Sequence, residues 1–288
     1  MHNNDWSLIF FTLLAQVSVG LMLFLTLMYL LQQQAFYDLP AGFSLKSPFL
    51  VALVAIAMAT VISFTHVYTP QHSVFALNNL SSSWLSREIL GIALFGTGVL
   101  LVFFLRWSGN DSGIFLPVIL VYTSIAGILL LYFMSRIYMI STIPAWDTWY
   151  TVWSFFMAAL LTGGFVLILF TSAGFNRFHG YLLIVLAGML LLQVLAAYLH
   201  QRQLIGMEHT GIGKPDFAEG MFHTVYLVRL FILFIAFIFT AYLAIRVHSG
   251  IADAGATMRF LSFILALVVF EEVAGRFLFY DSYFRIGV

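Results

Sequence analysis

The chain alternates between long apolar runs and short, turn-rich polar segments. Crossing the hydrocarbon core of a bilayer takes about 20 mainly apolar residues in a helix. Eight runs meet that length, near residues 6–31, 47–68, 88–106, 114–138, 150–171, 180–200, 224–247 and 259–280. No strand-like alternation recurs along the chain. The pattern therefore predicts an all-α integral membrane protein, a bundle of eight transmembrane helices forming a single domain over residues 1–288.

An even number of helices places both termini on the same side of the membrane, which we name side A. Side A also receives the segments 69–87, 141–149 and 201–223, and side B receives the other connections. Three arginines lie within or beside apolar runs and are set aside: Arg87, Arg136 and Arg276. Side B then carries the larger share of flanking basic residues, namely Lys46, Arg106, Arg177, Arg246 and Arg259 against Arg202, Lys214 and Arg285. Because cytoplasmic loops are rich in Lys and Arg, we expect the termini on the outer, periplasmic side of a bacterial or archaeal cytoplasmic membrane.

Composition supports a lipid environment and narrows the chemistry. Hydrophobic residues make up 62% of the 288 and charged residues only 8%, whereas soluble domains carry roughly 25% charged residues. The net charge is zero and no basic tract occurs, which argues against a nucleic-acid partner. Cysteine is absent, so an iron–sulfur cluster would need ligands from another subunit.

The ionisable residues in or next to the apolar runs all fall toward side A. They are His66, Arg87, Glu88, Arg136, His200, Glu271, Glu272 and Arg276. Charged groups inside a membrane are costly and usually face a partner or a cavity. Their concentration at one end of the bundle predicts one functional site there.

Two of these groups support both a structural and a functional interpretation. Glu272 and Arg276 are four residues apart on one helix and can neutralise each other, which would fix the last helix. Alternatively, a buried carboxylate can accept a proton. His66 is either a helix cap or interfacial side chain, or a proton acceptor paired with Glu88, since histidine exchanges protons near neutral pH.

Three kinds of membrane protein each fit part of this pattern. A proton-coupled transporter or channel would use acids along a path that reaches both faces, whereas the polar groups here stop on one side. A haem-b quinol oxidase subunit would need paired histidines, and His66 with His200 is the one arrangement the sequence offers. A purely structural anchor for a peripheral enzyme would bind no quinol.

Several segments, taken together in order, resemble a known family. A histidine ends the second run, and ALNNL (76–80) and SWLSREI (83–89) follow. SRIYMISTIPAW (135–146), TGG (162–164) and FEEVAGRFLFY (270–280) come later. This arrangement resembles the membrane-anchor subunits of dimethyl sulfoxide reductases, over essentially the whole chain.

The resemblance implies a function and a set of site residues. Such anchors oxidise menaquinol at the outer face, contain no haem, and pass electrons to a four-cluster iron–sulfur subunit that supplies a molybdopterin catalytic subunit. By this resemblance His66 and Glu88 are the catalytic residues, and Arg87, Arg136, Glu272 and Arg276 complete the quinol site. The protein would then act as an enzyme only as part of that complex, with the partners docked on the side of the termini and no metal of its own.

One position departs from the family pattern. The family usually has glycine two residues after the histidine, and Tyr68 occupies that position here, before Pro70. A tyrosine side chain fills space that glycine leaves open for close backbone approach. The resemblance therefore does not specify the geometry around the quinol headgroup or the terminal electron acceptor.

Overall fold

The residues that the structure describes form eight long helices. The computed structural model describes residues 5–33, 46–64, 77–109, 113–171, 177–214, 216–251 and 253–286. Besides a 3-10 turn at Leu77–Asn79, the helices are α1 (Asp5–Gln33), α2 (Lys46–Ser63), α3 (Trp84–Trp107), α4 (Phe115–Tyr138), α5 (Trp149–Thr171), α6 (Arg177–His209), α7 (Gly220–His248) and α8 (Ala254–Asp281). The described residues contain no strand. The predicted all-α membrane bundle is confirmed.

Helices α1 to α7 are long and apolar enough to cross a membrane. Helix α8 is 28 residues long and carries the three buried charged residues Glu271, Glu272 and Arg276. Such charges survive in hydrocarbon only when neighbouring helices supply partners or a cavity. The charged residues of α8 therefore depend on the helices that surround them.

Two helix ends differ from the pattern of apolar runs. Helix α6 continues to His209, nine residues beyond the predicted boundary at residue 200. Polar contacts fix the segment that follows this extension, because Gln201 Nε2 donates to the Phe217 carbonyl at 2.6 Å and Glu208 Oε2 accepts from the Ala218 amide at 2.9 Å. Helix α2 ends at Ser63, and the predicted continuation to residue 68 runs beyond the described residues.

The helices pack as two rings of four. Contacts close one ring through α1, α2, α3 and α4, and a second ring through α5, α6, α7 and α8. The most extensive contact between the rings joins α1 to α5, where Gly20 faces Gly163. A Cβ on either glycine would collide with the backbone of the facing helix, so these helices pack closely only without side chains there. Gly163 belongs to the TGG segment of the family resemblance.

Side-chain contacts show which helix ends lie together. At one end, the Tyr138 hydroxyl at the close of α4 lies 2.7 Å from the Tyr280 hydroxyl of α8. At the other end, His179 near the start of α6 is hydrogen-bonded to Thr171 at the end of α5, at 3.0 Å. The helices therefore alternate in direction, and the end containing Tyr138 and Tyr280 corresponds to side A.

Candidate functional site

The start of α3 is fixed by Arg87 and Trp84. The Ser83 hydroxyl caps the helix by accepting from the Ser86 amide. Arg87 Nε donates to the Leu80 carbonyl at 2.8 Å and Nη2 donates to the Ser81 carbonyl at 2.7 Å. The Arg87 guanidinium also lies 4.1 Å from the Trp84 ring centroid. Arg87 thus secures the segment that leads into α3.

Arg136 contacts the same indole from the end of α4. Its Cζ lies 5.1 Å from the Trp84 centroid, and its Nη1 donates to the Met139 sulfur at 3.5 Å. Trp84 therefore binds two guanidinium groups, which the negative face of an indole favours. These contacts join the start of α3 to the end of α4.

Glu88 is buried directly beside this cluster, with 7% of its surface exposed. Tyr138 lies in the neighbourhood of both Glu88 on α3 and Arg276 on α8. Since the Tyr138 hydroxyl also contacts the Tyr280 hydroxyl, Tyr138 connects the acid of the first ring to the charged residues of the second.

Aromatic rings enclose the space around Tyr138. The Trp146 ring stacks on the Phe279 ring with centroids 5.1 Å apart, and Trp146 Nε1 donates to the Phe279 carbonyl at 2.7 Å. The Arg276 guanidinium lies 3.8 Å from the Phe155 centroid. Segments 135–146 and 270–280, which carry the family resemblance, therefore meet at side A.

A buried ion pair crosses from α7 to α8. Arg229 donates from Nε to Glu271 Oε1 at 2.7 Å, and its Nη2 lies 2.6 Å from the same oxygen. Its Nη1 donates to the Tyr150 hydroxyl at 2.9 Å. A Cβ on Gly275 would lie 2.8 Å from the Arg229 guanidinium carbon, so the glycine makes room for the arginine.

Glu272 and Arg276 behave differently from the adjacent ion pair. Within the described part of the chain, they do not form the ion pair that their spacing predicts, and Glu272 Oε1 and Arg276 Nη2 have no hydrogen-bond partner. Both side chains line a cleft with Ser154, Arg229 and Tyr150, which we name the inner cleft. The structure therefore shows no direct ion pair between Glu272 and Arg276, and the acid that forms a pair here is Glu271, with Arg229.

A second cleft lies inside the ring of α5 to α8. It is lined by residues of all four helices, among them His200, Gln201, Tyr226 and Ser282, and we name it the outer cleft. His200 stacks on Tyr150 with ring centroids 4.2 Å apart. Among the described residues, His200 Nδ1 and the Tyr226 hydroxyl find no hydrogen-bond partner.

The predicted site residues fall into three groups. His66 lies outside the described residues, two positions after Phe64. Arg87 and Arg136 bind Trp84. The remaining three surround Tyr138 and the inner cleft: Glu88, Glu272 and Arg276.

Arg229 and Tyr150 are among the polar residues of this region that the sequence interpretation missed, and Tyr138 is another. Arg229 stands in the apolar run FHTVYLVRLF, nine residues after the start of α7. An arginine that deep in a predicted span is itself a signal of a buried partner. Arg229 lies inside the bundle in an ion pair with Glu271 and not at a helix end. It therefore does not change the comparison of flanking basic residues on sides A and B.

The arrangement offers acids, tyrosines and cations but no cluster of metal ligands. In the described ranges, no group of three or more His, Asp or Glu side chains is placed to hold a metal ion. Carboxylates and histidine can accept protons, and nearby guanidinium groups can stabilise negative charge as it forms. Such a site is chemically suited to removing protons from an organic molecule.

Comparison with known proteins identifies the family. The family model described as DMSO reductase anchor subunit (DmsC) matches residues 1–281. The C subunit of the anaerobic dimethyl sulfoxide reductase of Haemophilus influenzae is 30% identical over 156 residues, and the match spans 54% of this protein and 54% of that relative. The anaerobic dimethyl sulfoxide reductase subunit YnfH of Escherichia coli is 24% identical over 225 residues, covering 75% of this protein and 76% of the relative. Because the family model matches residues 1–281, which include all eight helices described above, the chain belongs to the DMSO reductase anchor subunit family.

Proposed function

We propose that this multi-pass membrane protein oxidises menaquinol near side A and passes the electrons to an iron–sulfur subunit. The observation that carries the proposal is the cluster of buried protonatable and cationic groups at one end of the bundle. Glu88 of α3 and Glu272 and Arg276 of α8 are all buried there. The opposite end shows hydrogen-bonded His179 and Thr171 instead of buried acids among its described residues.

In this proposal the quinol headgroup enters from the lipid between helices near side A. His66 follows the end of α2 in the sequence, and α2 packs against α3, the helix that carries the buried Glu88. His66 accepts a proton from one quinol hydroxyl, and Glu88 relays a proton toward the aqueous face. Arg136 supplies positive charge beside the reacting group. Arg87 acts indirectly, because its hydrogen bonds hold the segment before α3 in place.

The partners are inferred from membership of the family, together with the absence of cysteine from this chain. It contains no cysteine, so the two electrons of each quinol leave to a cluster held by another subunit. We infer a four-cluster iron–sulfur subunit that docks over side A, next to the quinol, and carries electrons to a molybdopterin catalytic subunit. The termini and the released protons are then on the periplasmic side.

The test uses the complete complex in membranes. His66→Leu and Glu88→Gln should each reduce menaquinol-driven reductase activity by at least about a hundredfold, because each removes a proton acceptor. Reductase activity driven by a reduced viologen dye, which supplies electrons directly to the partner subunits, should stay unchanged. Glu219→Gln is the matched control, since Glu219 is exposed on the same side.

The two assays separate the possible results. Loss of menaquinol-driven activity alone, with the control at full rate, supports the quinol site. Full menaquinol-driven activity in both His66→Leu and Glu88→Gln would show that quinol oxidation does not depend on these residues, and the proposal would be abandoned.

A further inference from the structure

Each quinol that loses two electrons also loses two protons, and the protein contains a second buried acid beside Tyr138 and Arg276. Resting on the proposed function, we propose that Glu272 receives one of these protons and begins a water-filled outlet. The outlet runs from the inner cleft past Arg229 and Tyr150 into the outer cleft, and ends near Tyr226 and Gln201 at side A. It is separate from the route that involves His66 and Glu88.

The two neighbouring glutamates of α8 differ in the way that a proton acceptor requires. Glu271 Oε1 receives two contacts from Arg229, which fix it as the anion of an ion pair. Within the described residues one oxygen of each acid, Glu271 Oε2 and Glu272 Oε1, has no hydrogen-bond partner, but Glu272 faces the inner cleft and forms no direct ion pair. An acid that is not held by a fixed cation can gain and lose a proton at a lower cost. Glu272 is therefore the acid suited to transfer.

The clefts are continuous in their walls. Tyr150, Arg229, Gly275 and Phe279 line both of them. Gly275 has no side chain at the point where the two clefts adjoin the guanidinium of Arg229. In the proposed outlet, water bound in each cleft would transfer the proton along this shared wall, from Glu272 toward the outer cleft.

The polar atoms of the outer cleft also call for water. Buried polar groups in proteins are nearly always hydrogen-bonded, to ordered water where the protein supplies no partner. In the part of the chain that the structure describes, His200 Nδ1 and the Tyr226 hydroxyl have no protein partner. Both belong to the wall of the outer cleft. Water molecules bonded to these two groups would complete the outlet.

The ion pair lowers the barrier for a proton that passes it. A bare arginine would repel a positive charge strongly in a low-dielectric interior. Arg229 is neutralised by Glu271 at 2.6 Å, so this pair adds little repulsion, and the remaining positive charge in the wall of the inner cleft is that of Arg276. In the complete step, a quinol O–H bond breaks, its proton moves to the Glu272 carboxylate and then to cleft water, and the electrons leave to the partner's iron–sulfur cluster.

Single cysteines test the hydration of the outlet directly. The protein has no cysteine of its own, and three serines each donate to the carbonyl three residues earlier: Ser282, Ser154 and Ser135. Ser282 lines the outer cleft and Ser154 the inner cleft. Ser135 is fully buried and lies in neither. Each Ser→Cys variant is made in the complete complex and exposed to a small charged methanethiosulfonate from side A.

Water in the outlet should ionise the thiols that face it. We expect Ser282→Cys to react at least about tenfold faster than Ser135→Cys, with Ser154→Cys in between, because only a hydrated thiol forms the reactive thiolate. Equal, slow reaction of all three variants would mean that the clefts are dry, and the outlet would be rejected. This measurement does not depend on enzymatic activity.

Kinetics separate the outlet from the proposed function. Glu272→Gln should slow menaquinol-driven turnover by at least about tenfold and leave viologen-driven turnover unchanged. Tyr226→Phe should slow it less, whereas Tyr198→Phe, an exposed tyrosine of α6, should not. Full turnover in Glu272→Gln together with loss in His66→Leu would overturn the outlet alone. Full turnover in both variants would overturn the proposed function as well.

Discussion

Helix α8 carries two ion pairs that differ in depth. At its outer end, Asp281 pairs with Lys214 at 2.7 Å, and their side chains are 32% and 29% exposed. Farther inside the bundle, Glu271 pairs with Arg229 at 2.6 Å, and these side chains are 1% and 6% exposed. Both pairs connect α8 to the segment formed by α7 and the loop before it. Helix α8 thus makes one ion pair at a partly solvent-exposed position and one ion pair in the interior of the bundle.

The difference shows how depth changes what a charge requires. Lys214 lies where water can solvate it, and a single acid with one nearby carbonyl is enough. Arg229 has no such solvent, and all three of its nitrogens are engaged by Glu271 and Tyr150. A buried charge is tolerated only when its hydrogen-bonding capacity is satisfied. Burial of the Arg229 guanidinium is therefore tolerated only with Glu271 and Tyr150 in place, and burial of the Glu271 carboxylate is tolerated only with Arg229 in place.

The largest effect should come from Arg229→Met. Loss of the guanidinium leaves Glu271 as a buried carboxylate without its cation, and breaking a buried pair in this way costs about 3–5 kcal/mol. We expect the free energy of unfolding, measured by titration with a denaturing detergent, to fall by that amount. The midpoint of the transition should move accordingly.

The double variant Arg229→Met/Glu271→Met is the control for that result. Replacing both charges by apolar side chains of similar size removes the uncompensated carboxylate, and it should recover most of the lost stability. A double variant that is as unstable as Arg229→Met would mean that packing, rather than charge, dominates at this position.

The next effect tests the space that the deep pair needs. Gly275→Ala places a methyl group 2.8 Å from the guanidinium carbon of Arg229. Overpacking of this kind costs about 1–3 kcal/mol, and the same detergent titration should detect it. Gly188→Ala is the matched control, because a Cβ at this helical glycine meets nothing within 4 Å. Equal stability of the two variants would show that Arg229 moves aside without cost.

The deep pair also marks the limit of what the sequence predicts. Apolar runs identify the spans because hydrocarbon selects for them directly, and the spacing of Glu272 and Arg276 is visible along one helix. The pairing of Glu271 with Arg229 depends on how α7 and α8 meet, which a linear pattern does not contain. Helix α6 continues past its apolar run because a helix can extend beyond the membrane with polar residues. The length of an apolar run therefore does not predict where such a helix ends. The role of His66 stays a prediction, since that residue lies outside the described ranges.

Arg87 provides an intermediate case between the two pairs. It is satisfied by two carbonyls and the Trp84 ring rather than by an acid. Arg87→Met should cost about 1–2 kcal/mol, because two charge-assisted hydrogen bonds are lost at a position that water can reach. Arg202→Met, at an exposed position of α6, should change the unfolding free energy by much less. A loss as large as that of Arg229→Met would contradict the dependence on depth.

The smallest effect should come from Lys214→Met at the outer end of α8. The side chains of Lys214 and Asp281 are 29% and 32% exposed, and an ion pair that water and salt can screen contributes about 0.2–1 kcal/mol. The remaining Asp281 carboxylate is hydrated when its partner is lost, so no buried charge is created. Repeating the titration at high salt should abolish the difference between Lys214→Met and the unaltered protein, while Arg229→Met should stay unstable. High salt could instead reduce the stability loss of Arg229→Met as much as that of Lys214→Met. Solvent would then reach both ion pairs, and burial would not explain why the two variants differ in stability.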